Sequence, residues 1–394
     1  MDAVTSPISG GKRIDVVDFL RGYAIMSILL LHNLEHFDFI YTPSSIPAWR
    51  AAVDGTIWAF FDFMVAGKSY AIFALLFGFT FWLMDKKQAD QGKDFRTRFL
   101  WRMFLLLGFG LINSLFYEGD ILSMYALLGF TLVLVARFSD RTVLIIAVIM
   151  LLQPLMWADV VHQLLNPANK LSDPASWAFF GKQFPYLSGN SFIDALVGNM
   201  TNGKIAVYLW SWEKGRFLQA PALFMLGMLI GRRGYFENNP STIRFWKKVF
   251  VFSGLGLLVF MLLKTTMNQL FHDHELRELI RRIHYSWSNL SMMFLLVSSM
   301  ILLYQTKVFR GLTKGLLPFG RMSLTSYMMQ SFIGAYLYYG FGLGLYKITD
   351  AFWCLLLGIL LFLLQAAFCT WWLKHHRQGP LEALWHHLTW LKSK

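Results

Sequence analysis

Residues 350–373 read D-A-F-W-C-L-L-L-G-I-L-L-F-L-L-Q-A-A-F-C-T-W-W-L. Past Asp350 the run carries no charge. As a helix it covers roughly 35 Å, enough to cross about 30 Å of hydrocarbon. Nine further runs meet a similar standard: 14–33, 57–84, 99–117, 121–136, 142–158, 217–231, 246–264, 285–304 and 323–346. The expected fold is therefore all-α, a polytopic integral membrane protein with about ten transmembrane helices. The run 57–84 holds Asp62, Gly67 and Lys68, so a short helix followed by the span proper, 69–84, is an open alternative.

The composition agrees. Of the 394 residues 56% are apolar and only 15% charged, against roughly 25% charged in an average globular chain. Such a chain is not a cytosolic enzyme, a DNA-binding protein or a secreted disulfide scaffold. Cys354 and Cys369 stand in one helical run about 22 Å apart, beyond disulfide reach. The net charge of +13 is read as loop charge that sets topology, not as a nucleic-acid footprint. The N-terminal tail and every second loop after it hold 23 of the 36 Lys and Arg residues; the loops between hold 11. Both termini are accordingly expected to face the cytoplasm of a bacterium, with the chain in its inner membrane. Arg21 within the first run, and no A-x-A-like exit, argue against a cleaved signal.

Three parts are expected. Residues 1–158 form an N-terminal membrane half and 217–394 a C-terminal one. Residues 159–216 form an extracytoplasmic insert, whose stretch 191–212 reads as an amphipathic or interfacial helix, or as an eleventh span.

The sharpest chemical signal lies between Arg13 and Asn33. Asp18, Arg21, Ile25, Ile28 and His32 recur at intervals of 3, 4, 3 and 4, one stripe of a helix. Asp18 can pair with Arg21. His32 stands about 16 Å further along the axis. Ionisable groups at membrane depth are costly and usually face a cavity or a partner. Asp18, Arg21 and His32 are thus expected to face one internal, water-accessible space, shared with Lys68 and the ninth run. The competing reading is an interfacial ion pair and a helix-end histidine.

Asp18, Arg21-x(10)-His32 resembles the first helix of the transmembrane acyltransferase superfamily, which includes the acyltransferase-3 enzymes and heparan-α-glucosaminide N-acetyltransferase. The resemblance is closest to the YeiB-like bacterial family. Gly119-Asp120-Ile121-Leu122-x-x-Tyr125-Ala126 is similar to its G-D-I-L-x-x-Y-A. Gly320 to Tyr327, G-R-M-S-L-T-S-Y, is similar to G-R-M-x-L-T-x-Y, and Gly379-Pro380-Leu381-Glu382-x-x-Trp385 to a terminal G-P-L-E-x-x-W. Many YeiB-like members carry Asn at the position of His32, so the histidine brings this chain nearer the acyltransferase-3 pattern.

The resemblance implies transfer of an acyl group, such as acetyl, from cytoplasmic acyl-CoA to an acceptor, for instance an envelope glycan or a lipid-linked molecule. His32 would act as general base or acyl carrier. Arg21 and Lys68, with arginines such as Arg102, would hold CoA phosphates, and Asp18 would orient Arg21. Further candidates for substrate or CoA contact are Asp62, Asp120, Tyr125, Arg216, Arg321, Thr325 and Gln330. Several have plainer readings: Arg102 as a positive-inside anchor, Asp120 as a helix cap, Thr325 and Gln330 as interhelical hydrogen-bonding groups. A thioester is already activated, so acyl-CoA is a co-substrate and no bound cofactor or metal is expected. His272-Asp273-His274-Glu275 lacks a helical i, i+4 histidine pair and reads as an exposed loop. Expected partners are membrane lipid and the acceptor, not nucleic acid; a homo-oligomer is compatible. The other function class is a transporter or flippase of a small anionic or lipid-linked substrate, for which intramembrane Asp18, Arg21, Asp62 and Lys68 would form the pathway.

Overall fold

A computed structural model describes residues 14–43 and 45–391. The charges of Lys12, Arg13, Lys392 and Lys394, which entered the topology reading, lie outside the described residues. Helices make up the described fold, and no strand is present among the described residues.

The first half runs α1 (Asp15–Leu34), α2 (Ala48–Met64), α3 (Ser69–Ala89), α4 (Arg96–Phe116), α5 (Leu122–Leu128), α6 (Phe130–Val135), α7 (Asp140–Leu151) and α8 (Pro154–Leu165). The insert is a chain of short helices: α9 (Trp177–Phe180), α10 (Gln183–Ser188), α11 (Phe192–Gly198) and α12 (Lys204–Glu213), with a π turn at Asn199–Gly203. The second half follows as α13 (Arg216–Arg232), α14 (Pro240–Leu270), α15 (His274–Leu303), α16 (Lys307–Leu312), α17 (Leu316–Arg321), α18 (Ser323–Tyr338), α19 (Ala351–His375) and α20 (Pro380–Thr389).

All ten apolar runs are largely helical. Among the described residues five helical segments are long and apolar enough to cross a membrane, with α2 and α3 taken together; α7 and α8, bent by 42° at Gln153, make a sixth if counted as one. Runs 121–136, 217–231 and 323–346 form shorter helices, and α1 carries Asp15, Asp18 and Arg21. The stretch 191–212 is a helix interrupted by its π turn and is not among the apolar spans. Apolar side chains on α14 (Phe252, Leu258, Leu262) and α19 (Leu360, Leu363, Leu364) are exposed. Continuous apolar surface of this kind suits lipid rather than water.

Local chemistry sets the helix ends. Ser139, Asn239, Asp273 and Asp350 accept N–H bonds at the starts of α7, α14, α15 and α19. Asp350, the one charge in the opening stretch, is thus a cap. Pro154 and Pro240 occupy first-turn positions, where no N–H is needed. The expected exposed loop at 272–275 is corrected: Asp273 caps α15, His274 and Glu275 lie in its first turn, and Glu275 accepts the Leu171 N–H.

Glycines fix the closest approaches. A Cβ on Gly78 of α3 would strike the Phe224 carbonyl of α13, and one on Gly227 of α13 would strike the Leu75 carbonyl of α3. The close packing of α3 and α13 at these glycines is therefore reciprocal. The same exchange joins Gly22 of α1 to Leu316, and Gly320 of α17 to the Asp18 carbonyl. The first glycine of G-R-M-S thus seats α17 on the helix that carries Arg21 and His32.

Candidate functional site

Helix α1 lies between two cavities. The larger, about 620 Å³, is lined by His32, Glu35, Asp38, Asp62, Tyr117 and Arg216, among others. The smaller, about 200 Å³, is lined by Arg21, Thr80, Arg102, Tyr125, Arg321 and Glu382, among others. Tyr327 of α18 borders both. The expectation of one space for the whole α1 stripe is corrected here. Arg21 and His32 are three helical turns apart, and Tyr327 with the start of α5 fills the gap between their chambers. The Tyr327 hydroxyl accepts the Ile121 N–H at 3.2 Å, which fixes this wall.

In the smaller chamber Arg21 bonds Asp18 at 3.3 Å, as its i, i+3 spacing implied, and also the Thr80 hydroxyl. Asp18 is buried against the helix and lines neither cavity. Arg102 is held by α20: its guanidinium lies 3.9 Å from the Trp385 ring and donates to the Thr389 hydroxyl at 3.1 Å. Tyr125 finds its partner in the Tyr70 carbonyl at 2.6 Å. Thr325 is taken up by Glu382, and Gln330 is buried and lines neither cavity. The G-P-L-E-x-x-W segment therefore closes this chamber: Glu382 receives the Leu324 and Thr325 N–H groups at 2.7 and 3.0 Å and the Thr325 hydroxyl at 2.6 Å.

The backbone does break near Gly67, whose φ is +77°. Gly67 and Asp62 line the larger cavity, but Lys68 does not. Its buried Nζ donates to the Asp62 carbonyl at 2.6 Å, closing the end of α2. Lys68 is a helix-end clamp, and its expected place in the cavity is corrected. Asp120 behaves as the capping reading held: it accepts from the Ser123 N–H at 2.9 Å and from Asn113 at 3.0 Å. It also faces the buried Lys204 at 3.5 Å, which pins the insert to the turn after α4.

The larger cavity holds groups that the sequence reading passed over. His32 packs against Tyr117 with ring centroids 4.5 Å apart and planes tilted by 45°, and lies 6.5 Å from the Tyr327 ring. No described residue hydrogen-bonds its imidazole. Glu35 follows three residues later on the same face. The chain then makes three left-handed residues, His36 (φ 47°), Phe37 (φ 56°) and Asp38 (φ 67°). Such a run is strained for L-residues and persists only when clamped. The clamps are visible: Phe37 N–H to the His32 carbonyl (2.7 Å), the Tyr339 hydroxyl to the Phe37 carbonyl (2.8 Å), and His36 to Thr349 (3.0 Å). The turn delivers Asp38 to the Tyr117 hydroxyl and the Gly119 N–H. Gly119 has no room for a Cβ beside Asp38, which accounts for the glycine of G-D-I-L.

Burial pushes the Glu35 carboxyl up to about 8, and the neighbouring Asp38 charge adds to this, while Arg216 pulls the other way. Asp38 is raised for the same first reason. Glu118, fully buried beneath the insert against Gln183 and Tyr186, is also pushed well up by burial. The available signal for Glu35 was its i+3 spacing from His32. Asp38 had none, because only the left-handed turn aims it inward. Among the described residues no group of three His, Cys, Asp or Glu could hold a metal.

Residues 230–392 match the model of a family described as a protein of unknown function, DUF418. Nearly the whole chain is similar to YxaH of Bacillus subtilis, at 29% identity with 98% of this chain and 96% of the relative covered. It is likewise similar to YeiB of Escherichia coli, at 27% identity with 95% of each covered. A 39.9 kDa protein from the amylase 3′ region of Bacillus acidopullulyticus is 24% identical, with 98% and 96% covered. All three relatives are described as uncharacterised. No solved structure matches the chain.

Proposed function

We propose that the protein is a membrane-bound acyltransferase of the inner membrane, with both termini cytoplasmic. It moves an acyl group from cytoplasmic acyl-CoA to an acceptor in the larger cavity. The observation that carries the reading is the wall at Tyr327: a chamber with three arginines abuts one with an unengaged imidazole, and a single tyrosine borders both. The arginine chamber, on the cytoplasmic side, suits the anionic end of CoA, because guanidinium groups bind phosphate bidentately. Placement of the chain in the wider acyltransferase superfamily is part of this proposal.

In the reaction, His32 takes the proton of the acceptor O–H or N–H as that atom attacks the thioester carbonyl. The C–S bond breaks, and the CoA thiolate leaves and takes up a proton. Tyr117 packs against His32 and orients it, while Asp18 and Thr80 orient Arg21. The thioester has to pass Tyr327 to reach His32, so side-chain motion at that wall belongs to the cycle.

Purified protein incubated with labelled acetyl-CoA and a membrane extract tests this. His32→Ala is expected to lose about 10²–10⁴-fold in transfer while CoA binding stays. Arg21→Ala is expected to weaken CoA binding about 10- to 150-fold, and Arg21→Lys to recover part of it. Wild-type protein that neither binds nor consumes acyl-CoA would overturn the proposal. The two chambers would then be the two faces of a carrier.

A further inference from the structure

Arg216 opens α13 directly after Gly215, whose φ is +69°. Its guanidinium lies between two aromatic rings, 4.3 Å from the Tyr70 centroid and 4.0 Å from that of Trp210. Stacking uses the two faces of the planar cation and leaves its N–H edges free to bond in the plane. Arg216 lines the larger cavity, on which His32 also borders. Among the described residues nothing accepts from its N–H edges, neither by hydrogen bond nor as an ion pair within 4 Å. Elsewhere Arg50, Arg232 and Arg233 each have a carboxylate. Among the described residues no other lysine or arginine lines this cavity, and the nearby Lys204 is paired with Asp120.

We propose that Arg216 is the docking point for a singly charged oxyanion, a phosphodiester or a carboxylate, on the molecule that enters the larger cavity. The proposal rests on the acyl-transfer reading only in calling that molecule the acceptor. An oxyanion with two coplanar oxygens matches the free fork of the guanidinium. One unengaged cation matches one negative charge. A dianion would meet Asp62, which faces the same space. Neither Glu35 nor Asp38 forms a hydrogen bond or close ion pair with Arg216. Glu35, pushed up to about 8 by burial, keeps its proton near neutral pH, and a protonated carboxyl donates to an oxyanion instead of repelling it; the Asp38 carboxylate is taken up by the Tyr117 hydroxyl and the Gly119 N–H. At about 620 Å³ the cavity has room for far more than a free ion, so the oxyanion is one end of a larger ligand. Docking there holds that ligand in the chamber that exposes the His32 ring.

Phenylglyoxal modifies accessible arginines, and peptide mass spectrometry locates the adduct. Full-length wild-type protein in maltoside detergent should be modified at Arg216. Diethyl phosphate or acetate at saturation should slow that modification strongly, roughly tenfold or more. Nanodiscs containing phosphatidylglycerol supply the second arm. Protection there without a soluble probe identifies a lipid headgroup as the source; protection by the soluble probes alone identifies a soluble acceptor. In a direct diethyl phosphate titration, Arg216→Gln should lose about 10- to 150-fold in affinity, and Arg216→Lys should keep part of it. Unchanged modification at Arg216 under every probe overturns the proposal, whether or not the variants fold. Protection at Arg216 without acyl transfer keeps the site and removes the acyltransferase reading. Acyl transfer without protection does the reverse.

Discussion

Replacing Glu382 by Ala tests whether the terminal G-P-L-E-x-x-W segment is a latch. One carboxylate there accepts three bonds at the start of α18, two from N–H groups and one from a hydroxyl, at 2.6–3.0 Å. The Thr325 hydroxyl in turn accepts the Leu381 N–H at 3.1 Å, so α18 and α20 lock each other. A hydrogen bond to a charged group is worth roughly 1.5–3 kcal/mol, so three set an upper bound of about 9 kcal/mol. The bonds share one acceptor and are not additive, and water can re-enter at a site only partly buried. A loss of about 2–4 kcal/mol is therefore expected, the scale of one to two strong helix caps. The two cysteines supply the assay. Cys354 and Cys369 are free and fully buried, and the Cys369 sulfur sits 3.4 Å from Ser326 on α18. A thiol-reactive dye should therefore react only as the helices separate. The midpoint of dye reaction on heating should fall by about 4–8 °C in Glu382→Ala, at roughly 2 °C per kcal/mol for a large chain. Glu382→Gln, which keeps an acceptor oxygen, should fall by less. A Glu382→Ala midpoint equal to wild type would refute the latch, because it would mean that these three bonds contribute nothing net.

Two further outcomes are expected. Between pH 4.5 and about 8 the folded chain holds a proton on Glu35 that the unfolded chain releases, so rising pH costs stability across that window. Glu35→Gln should gain in dye midpoint over wild type progressively from pH 5 to pH 8, and a gap that does not change with pH would show that Glu35 is not held neutral. Gly78→Leu forces a side chain against the Phe224 carbonyl; overpacking of this kind costs about 1–3 kcal/mol or more. Its dye midpoint should fall clearly, whereas Gly108→Ala, on α4 with open space around it, should show no such loss.

Period and length determined much of this protein from sequence alone. An uncharged run such as 351–373 can only be a helix among apolar neighbours, since its backbone must satisfy itself. The spacing of Asp18 and Arg21 gave their contact for the same reason: three residues along a helix are neighbours wherever that helix goes. Local capping by Asp120 was legible too. What tertiary structure alone decided is where each polar group points. Arg21 and His32 share a stripe, yet Tyr327, about 300 residues later in the chain, divides their surroundings into two chambers. Lys68 looked like a cavity cation and is instead spent on the Asp62 carbonyl. Asp38 lies outside every apolar run and is carried inward by a left-handed turn that Thr349 and Tyr339 hold from the far end of the chain. Sequence period fixes a side chain's position on its own helix. Which cavity it meets depends on contacts between residues far apart in the chain, and no local pattern encodes those.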